Sequence, residues 1–306
     1  MEQRRIKVLT LGDMPLSTSG VGNQSKYVIE ALLDSGKFEV FSLGGALRHA
    51  QNQIVKTDKY GELWKILPVE QFGSKEIVRS IIWKEKPDIV WFMTDPRFWG
   101  WLWEIENEIR LNIPMVYYHV WDNYPYPRFN KKFYESNDVI ATISKLTDDI
   151  VKTVAPDVES HYLPHAVNTD LFHKLDDSIK TDLRKENKGP DGRDLADRFV
   201  VLFNSRNARR KHSGTLVFWF KEFLETVGKD NAVLLMHTEP KDPNGPDLMQ
   251  IVEDLELDNG EVLFSRDKLE ENKIATLYNI ADVTVNISDA EGFGLGCLES
   301  LSCETP

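Results

Sequence analysis

The chain has 306 residues, 41% of them hydrophobic and 28% charged, so it can bury a sizeable core and suits two domains better than one. Its 49 acidic residues outnumber 37 Lys and Arg for a net charge of −12. That balance argues against a duplex nucleic-acid binder, whose affinity comes from neutralising phosphates. No run approaches the ~18 apolar residues of a membrane span, and "MEQRRIKVLTLGDMP" passes from charge into a strand too brief for a signal peptide's apolar region. The two cysteines, Cys297 and Cys303, lack metal-ligand spacing and read as reduced thiols of a cytoplasmic protein.

Short apolar runs alternate with helical patterns along the chain. Strands are expected at 6–12, 38–44, 88–94, 115–121 and 138–144, and in a second series at 199–205, 232–237, 261–265 and 282–288. Their apolarity is continuous rather than alternating, as in a parallel sheet covered on both faces. Helices are expected over 22–35, 101–111, 144–154, 211–227 and 269–280. This alternation predicts two doubly wound α/β domains. Between the series, "HKLDDSIKTDLRKENKGPDGRDLADRF" is highly charged and broken by Gly-Pro and Asp-Gly. It reads as a surface connector over 173–198, which places the domains at 1–172 and 199–306.

In doubly wound sheets ligands bind beyond the carboxyl ends of the strands, so the residues that follow strands carry the information. After the first strand, Gly20 and Gly22 open a helix whose leading N–H groups suit an anion or a close-lying ligand; a plain capped loop explains them as well. A dinucleotide fingerprint fits poorly, since the glycines come late and its third position is Ser25. The strand "MVYYHVWDNYP" ends with His119 and Asp122. Judged alone, His119 suits a bond to a substrate hydroxyl and equally a satisfied structural role. The surrounding aromatics, Trp91, Trp99, Trp101, Trp103, Trp121, Tyr124 and Tyr126, either fill core or form a wall for sugar rings, with Trp121, Asp122 and Tyr124 as acceptor-side candidates.

In the second series, "FVVLFNSRNARRKHSG" sets Arg206, Arg209, Arg210 and Lys211 between a strand and a helix. Cations beside a helix start form a good diphosphate clamp; the alternative is a solvated basic face. Walker spacing is missing. Further on, "DVTVNISDAEGFGLGCLESLSCE" reads as strand, loop and helix. Gly292, Gly294 and Gly296 let backbone N–H groups face a ligand, and Glu291 and Glu299 can accept bonds from sugar hydroxyls. No Asp-x-Asp pair follows a strand, and the nearest approach, Asp289-Ala290-Glu291, keeps a metal-dependent alternative open.

Together these segments resemble a retaining glycosyltransferase of the GT-B fold, of the large family that includes bacterial mannosyl- and glucosyltransferases and sucrose synthase. "EGFGLGCLESLSCETP" looks like that family's glutamate–seven residues–glutamate signature, and "SRNARRK" is similar to its Arg-x(4)-Lys phosphate clamp. "YLPHAVNTDLF" (162–172) resembles its segment crossing between domains, and "YYHVWD" with the Gly20/Gly22 loop matches its N-terminal half. The resemblance implies two Rossmann-like domains facing across a cleft. It also implies transfer of a hexose from a nucleotide-sugar donor to an acceptor hydroxyl, with retention and without a metal or other cofactor. Glycan, lipid, protein and small-molecule acceptors all stay open, as does a peripheral membrane contact.

The residue roles follow from the same resemblance. Glu299 would hold the ribose and Glu291 the donor sugar. Arg206 and Lys211, with the amides of Phe293 to Leu295, would hold the leaving diphosphate. His119 would face the donor sugar, and Gly22 would approach the diphosphate from the first domain. Gly20, Gly292 and Gly294 complete the donor-binding set. Family members continue past "CETP", so the expectation is a fragment whose second domain is incomplete at its C-terminus. A nucleotide-sugar-binding subunit without turnover and a nucleotide-sugar epimerase on the same fold are the competing classes.

Overall fold

The structure is a computed structural model and describes residues 4–51, 53–121 and 124–306. By packing, the chain divides into two units, Met1–His165 and Ala166–Pro306. The first contains β1 (Ile6–Asp13), α1 (Gly20–Asp34), β2 (Phe38–Leu47), β3 (Val55–Lys56), β4 (Trp64–Glu70), α2 (Lys75–Glu85), β5 (Ile89–Met93), α3 (Gly100–Trp103), α4 (Glu106–Arg110), β6 (Met115–His119), α5 (Lys131–Glu135), β7 (Val139–Thr142), α6 (Lys145–Val154) and β8 (Glu159–Tyr162). Its sheet runs β3-β4-β2-β1-β5-β6-β7-β8, parallel except for the β3–β4 pair. Leu9, Leu11, Phe92, Tyr117 and Ile140 from the central strands are fully buried in its core, as the continuous apolar runs require. Serines start the helices: Ser19, Ser74 and Ser144 each accept a bond from an N–H three residues on, at the starts of α1, α2 and α6.

The second unit contains α7 (Asp177–Glu186), β9 (Phe199–Asn204), α8 (Ser213–Val227), β10 (Ala232–His237), α9 (Leu248–Asp254), β11 (Val262–Ser265), α10 (Glu271–Ile280), β12 (Val283–Thr284) and α11 (Leu295–Ser302). Its four-stranded parallel sheet runs β11-β10-β9-β12. One buried cluster includes Phe203, Val217, Phe220, Leu234 and Met236; another includes Phe172, Val200, Leu202, Val233 and Tyr278. The expected connector, 173–198, belongs to this unit, and the division falls upstream of it. Arg184 of α7 pairs with Asp282 at 2.7 Å and donates to the Ile280 carbonyl, and Asn279 Oδ1 accepts from the Leu175 N–H. Charge in this stretch thus serves docking on α10 as well as solvation. Among the described residues no helix is long and apolar enough to cross a membrane.

Each sheet reverses its winding once. In the first, β1 pairs with β2 on one side and β5 on the other; in the second, β9 sits between β10 and β12. Crossovers leave such a reversal in opposite directions, which opens a crevice beyond the carboxyl ends of the two strands.

Candidate functional site

At the β9/β12 reversal two loops leave adjacent strands, 205–212 and 285–294, and they are tied together. The Asp289 N–H donates to the Arg210 carbonyl at 2.9 Å, the Arg210 guanidinium donates to the Ala290 carbonyl, and His212 Nε2 lies 2.8 Å from Asp289 Oδ1. Lys211 is only 5% exposed, and its Nζ is ion-paired with Glu291 Oε1. Glu291 also accepts from Ser288 Oγ at 3.0 Å and Asn286 Nδ2 at 3.2 Å, with Arg210 3.8 Å away. Burial opposes charge on this carboxyl, but Lys211, Ser288 and Arg210 outweigh it and hold the pKa below the ordinary range. The sequence-predicted Lys211 and Glu291 are therefore brought into direct contact, 80 residues apart in the chain.

Arg206 is held differently. Its side chain is 65% exposed and forks onto Asp242, Nε to Oδ2 at 2.7 Å and Nη2 to Oδ1 at 3.2 Å. Arg206 first, then Asn244, draws the Asp242 carboxyl well below its usual range. Beneath this pair Asn207 is fully buried. Its amide donates to the carbonyls of Pro240 and Pro246, and its Oδ1 accepts from Ser213 Oγ at 2.6 Å. The cationic loop is thus braced against 240–246 before any ligand arrives.

The glycine-rich stretch runs through Gly292 and Phe293 to Gly294, which sits at φ +82° immediately before α11. That left-handed turn favours glycine, and it aims the leading N–H groups of Leu295 and Gly296, which lack intrahelical acceptors, out of the helix. One turn on, Glu299 Oε2 accepts from the Tyr278 hydroxyl at 2.8 Å. Burial raises the Glu299 pKa, and the Tyr278 hydrogen bond moderates the rise.

In the first unit the Gly20/Gly22 loop is closed on itself. Ser19 Oγ donates to Asp13 Oδ2 and accepts from the Gly22 N–H, both at 2.9 Å. A Cβ at position 22 would meet Ser17 Oγ at 2.6 Å, the Met14 carbonyl at 2.8 Å and Ser19 Oγ at 2.9 Å. Gly22 is therefore demanded by its own loop; Gly20 is the first residue of α1 beside it. Gly22→Ala is expected to lower stability by about 1–2 kcal/mol through this overpacking, read as a reduced urea midpoint with unchanged m-value.

His119 is a correction. It is 0% exposed, and both ring nitrogens are engaged, Nδ1 with Tyr117 Oη at 3.0 Å and Nε2 with Tyr134 Oη at 2.7 Å. Tyr117 spends its own hydrogen on the Thr94 carbonyl, so the His119 proton resides on Nδ1 and Tyr134 donates to Nε2. Burial lowers the ring's pKa to about 3. The imidazole is thus a neutral core group with no edge for a donor sugar. Trp121 is also core, 7% exposed, with its ring 5.3 Å from the Arg97 guanidinium carbon. Tyr124 is 89% exposed, edge-on to Tyr126. Asp122 lies outside the described residues.

No protein-family model matches the chain, and no curated protein matches it. Solved structures do. Sucrose-phosphate synthase from Thermosynechococcus elongatus is 17% identical with a TM-score of 0.76, covering 99% of this chain and 80% of its own. A glycosyltransferase from Rickettsia africae is 19% identical with a TM-score of 0.69, over 99% and 78%. A trehalose-6-phosphate structure from E. coli, bound with UDP-2-fluoro glucose, is 10% identical with a TM-score of 0.66, over 97% and 81%. The chain has the GT-B fold.

Within this GT-B chain the second unit assembles Arg206, Lys211, Glu291, the glycine-rich turn and Glu299 at the reversal of one sheet. Sequence reasoning missed Asn207, Asp242 and Tyr278. Asn207 and Asp242 had a local signal, an Asn just before a helix and a turn-rich "PKDPNGP" segment. Tyr278 had none, because an aromatic in an amphipathic helix reads as core. Among the described residues no group of three or more His, Cys, Asp or Glu side chains is placed to hold a metal.

Proposed function

We propose that this chain moves a hexosyl group from a nucleotide-sugar donor to an acceptor hydroxyl, with retention and without a metal. The observation that carries the reading is the buried Lys211 ion-paired with the half-buried Glu291 at the β9/β12 reversal. Beside it stand a braced Arg206 and a helix start exposed by glycine. A cation and an acid in one crevice suit a ligand with an anionic middle and a polyol end. The GT-B fold supports it, as do fold neighbours named for synthase and glycosyltransferase activities, one of them holding a UDP-sugar analogue.

In this mechanism the donor's diphosphate takes over Lys211 and the leading N–H groups of α11, which frees Glu291 to accept from sugar hydroxyls. Arg206 reaches the same phosphates by exchanging Asp242 for them. The bond from the anomeric carbon to the diphosphate oxygen breaks with its electron pair on oxygen. The acceptor oxygen bonds the same carbon from the face that the diphosphate leaves and passes its proton to the departing diphosphate oxygen, which balances the step and keeps the configuration. Preorganised donors at the leaving group are worth roughly 3–4 kcal/mol each, and here Lys211 and Arg206 supply positive charge where it is needed.

A thermal-shift panel of nucleoside diphosphates and their sugars tests this. One base is expected to stand out, adding about 2.7 kcal/mol of stability at 100 times its dissociation constant. Glu299→Ala is expected to cut that gain for the preferred nucleotide. No stabilisation by any nucleotide, or a gain that Glu299→Ala leaves intact, would move the site elsewhere.

A further inference from the structure

In the proposed role Glu299 holds the donor's ribose, and a second group must hold that carboxylate in place. Tyr278, on α10, is completely buried and has no part in the sequence-derived site. Its hydroxyl accepts from Asn204 Nδ2 at 2.7 Å and lies 2.8 Å from Glu299 Oε2. Because Asn204 donates, the phenolic hydrogen has one place to go, onto the carboxylate. The chain of bonds runs Asn204 to Tyr278 to Glu299, from the last residue of β9, the strand that feeds the cationic loop, to the helix that starts at the glycine turn. Phe172 packs edge-on against the ring at 6.2 Å, and Thr305 Oγ1 donates to the Tyr278 main-chain carbonyl at 2.8 Å, which holds the backbone beneath it. A Cβ on Gly296 would come within 3.2 Å of the hydroxyl, so the small residue there preserves the bond.

We propose that Tyr278 is a positioning residue that fixes Glu299, through the Asn204–Tyr278–Glu299 chain, for bidentate recognition of the nucleotide's ribose hydroxyls. A carboxylate anchored at Oε2 keeps its remaining lone pairs aimed at the crevice, whereas an unanchored one loses rotamer freedom each time it binds. The bond also favours the ionised form of the group. Burial pushes the Glu299 carboxyl up, and the Tyr278 hydroxyl opposes that rise. Removing the hydroxyl raises the pKa further, so ribose binding fails at a higher pH than in the parent.

The inference rests on the nucleotide-sugar reading, and the test separates the two. Calorimetry compares the preferred nucleoside diphosphate with its 2′,3′-dideoxy counterpart on the parent, Tyr278→Phe, Glu299→Gln and the double variant. Tyr278→Phe is expected to weaken the ribonucleotide about tenfold and leave the dideoxy compound unchanged. The acid limb of ribonucleotide binding should move to higher pH. In the Glu299→Gln background the same change should cost little more, because both residues act as one unit. Equal weakening of both nucleotides, or additive losses in the double variant, would overturn the positioning role and leave Tyr278 as packing. A parent that binds neither nucleotide overturns the nucleotide-sugar reading itself, and this inference with it.

Discussion

Replacing Lys211 by alanine is expected to lower turnover by about 10²–10³-fold, the loss typical of one preorganised donor at a developing negative charge. Two features of the structure make this the most damaging single change. The ammonium is buried, so its interaction with a phosphate is poorly screened, and it is positioned by a partner, Glu291, rather than swinging in solvent. Truncation also leaves the Glu291 carboxylate half-buried beside Ser288, Asn286 and the more distant Arg210. Orphaning one member of a buried pair costs about 3–5 kcal/mol in full burial; with three partners remaining, about 2 kcal/mol is expected here. Turnover must therefore be normalised to folded protein, with nucleotide affinity measured alongside. Lys211→Arg does not rescue fully, because the planar fork is larger than the compact ammonium that this buried position encloses. If Lys211→Ala retains parental turnover per folded molecule, the diphosphate is held elsewhere and the site assignment fails.

Much of this was legible in sequence because the carrying residues follow strands. β1, β9 and β10 announce themselves as apolar runs, and the two loops at the β9/β12 reversal contain their cations, acids and glycines in plain order. Other elements were hidden for physical reasons. β4 contains Pro68, which argues against a strand, yet its neighbour β3 pairs only with Lys65 and Ile66, so Pro68 lies where the strand borders the sheet edge. β8 is "ESHY", a largely polar edge strand with no apolar signal. The expected helix over 101–111 is broken into α3 and α4. The buried positions Trp99, Leu102 and Ile105 recur every three residues, a spacing that suits tighter turns than the α-helix provides. The expected strand over 282–288 is cut to Val283–Thr284, because Asn286 turns back to bind the Ser288 N–H and starts the loop early.

His119 shows where sequence reasoning reaches its limit. A histidine at the carboxyl end of a strand in a doubly wound sheet is a fair candidate for chemistry, and only long-range packing tells otherwise. Tyr134 arrives from α5 and Tyr117 from two residues earlier on β6, and between them they consume both nitrogens. Sequence carries the strand position; it does not carry the identity of the side chain that another helix will lay against it.

This burial makes a second strong expectation, in stability rather than turnover. His119→Phe keeps an aromatic ring but leaves the Tyr134 hydroxyl without its acceptor and Tyr117 without its donor, an expected loss of about 2–4 kcal/mol at neutral pH. The pH dependence identifies the cause. In the folded chain burial holds His119 at about 3 and His165 at about 4, while unfolded histidines titrate near 6.5. Below about pH 6.5 the unfolded state binds protons that the folded state refuses, so stability falls with acid by about 1.4 kcal/mol per pH unit for each ring, until the folded values are reached. Urea unfolding of the parent between pH 7.5 and 5 should show both contributions. His119→Phe should show one fewer, its curve flatter by about 2 kcal/mol over that window although lower at neutral pH. Parallel curves would mean that His119 is accessible and titrates normally in the folded chain. Lost turnover with stability intact would return it to the reacting centre from which its two tyrosine partners remove it.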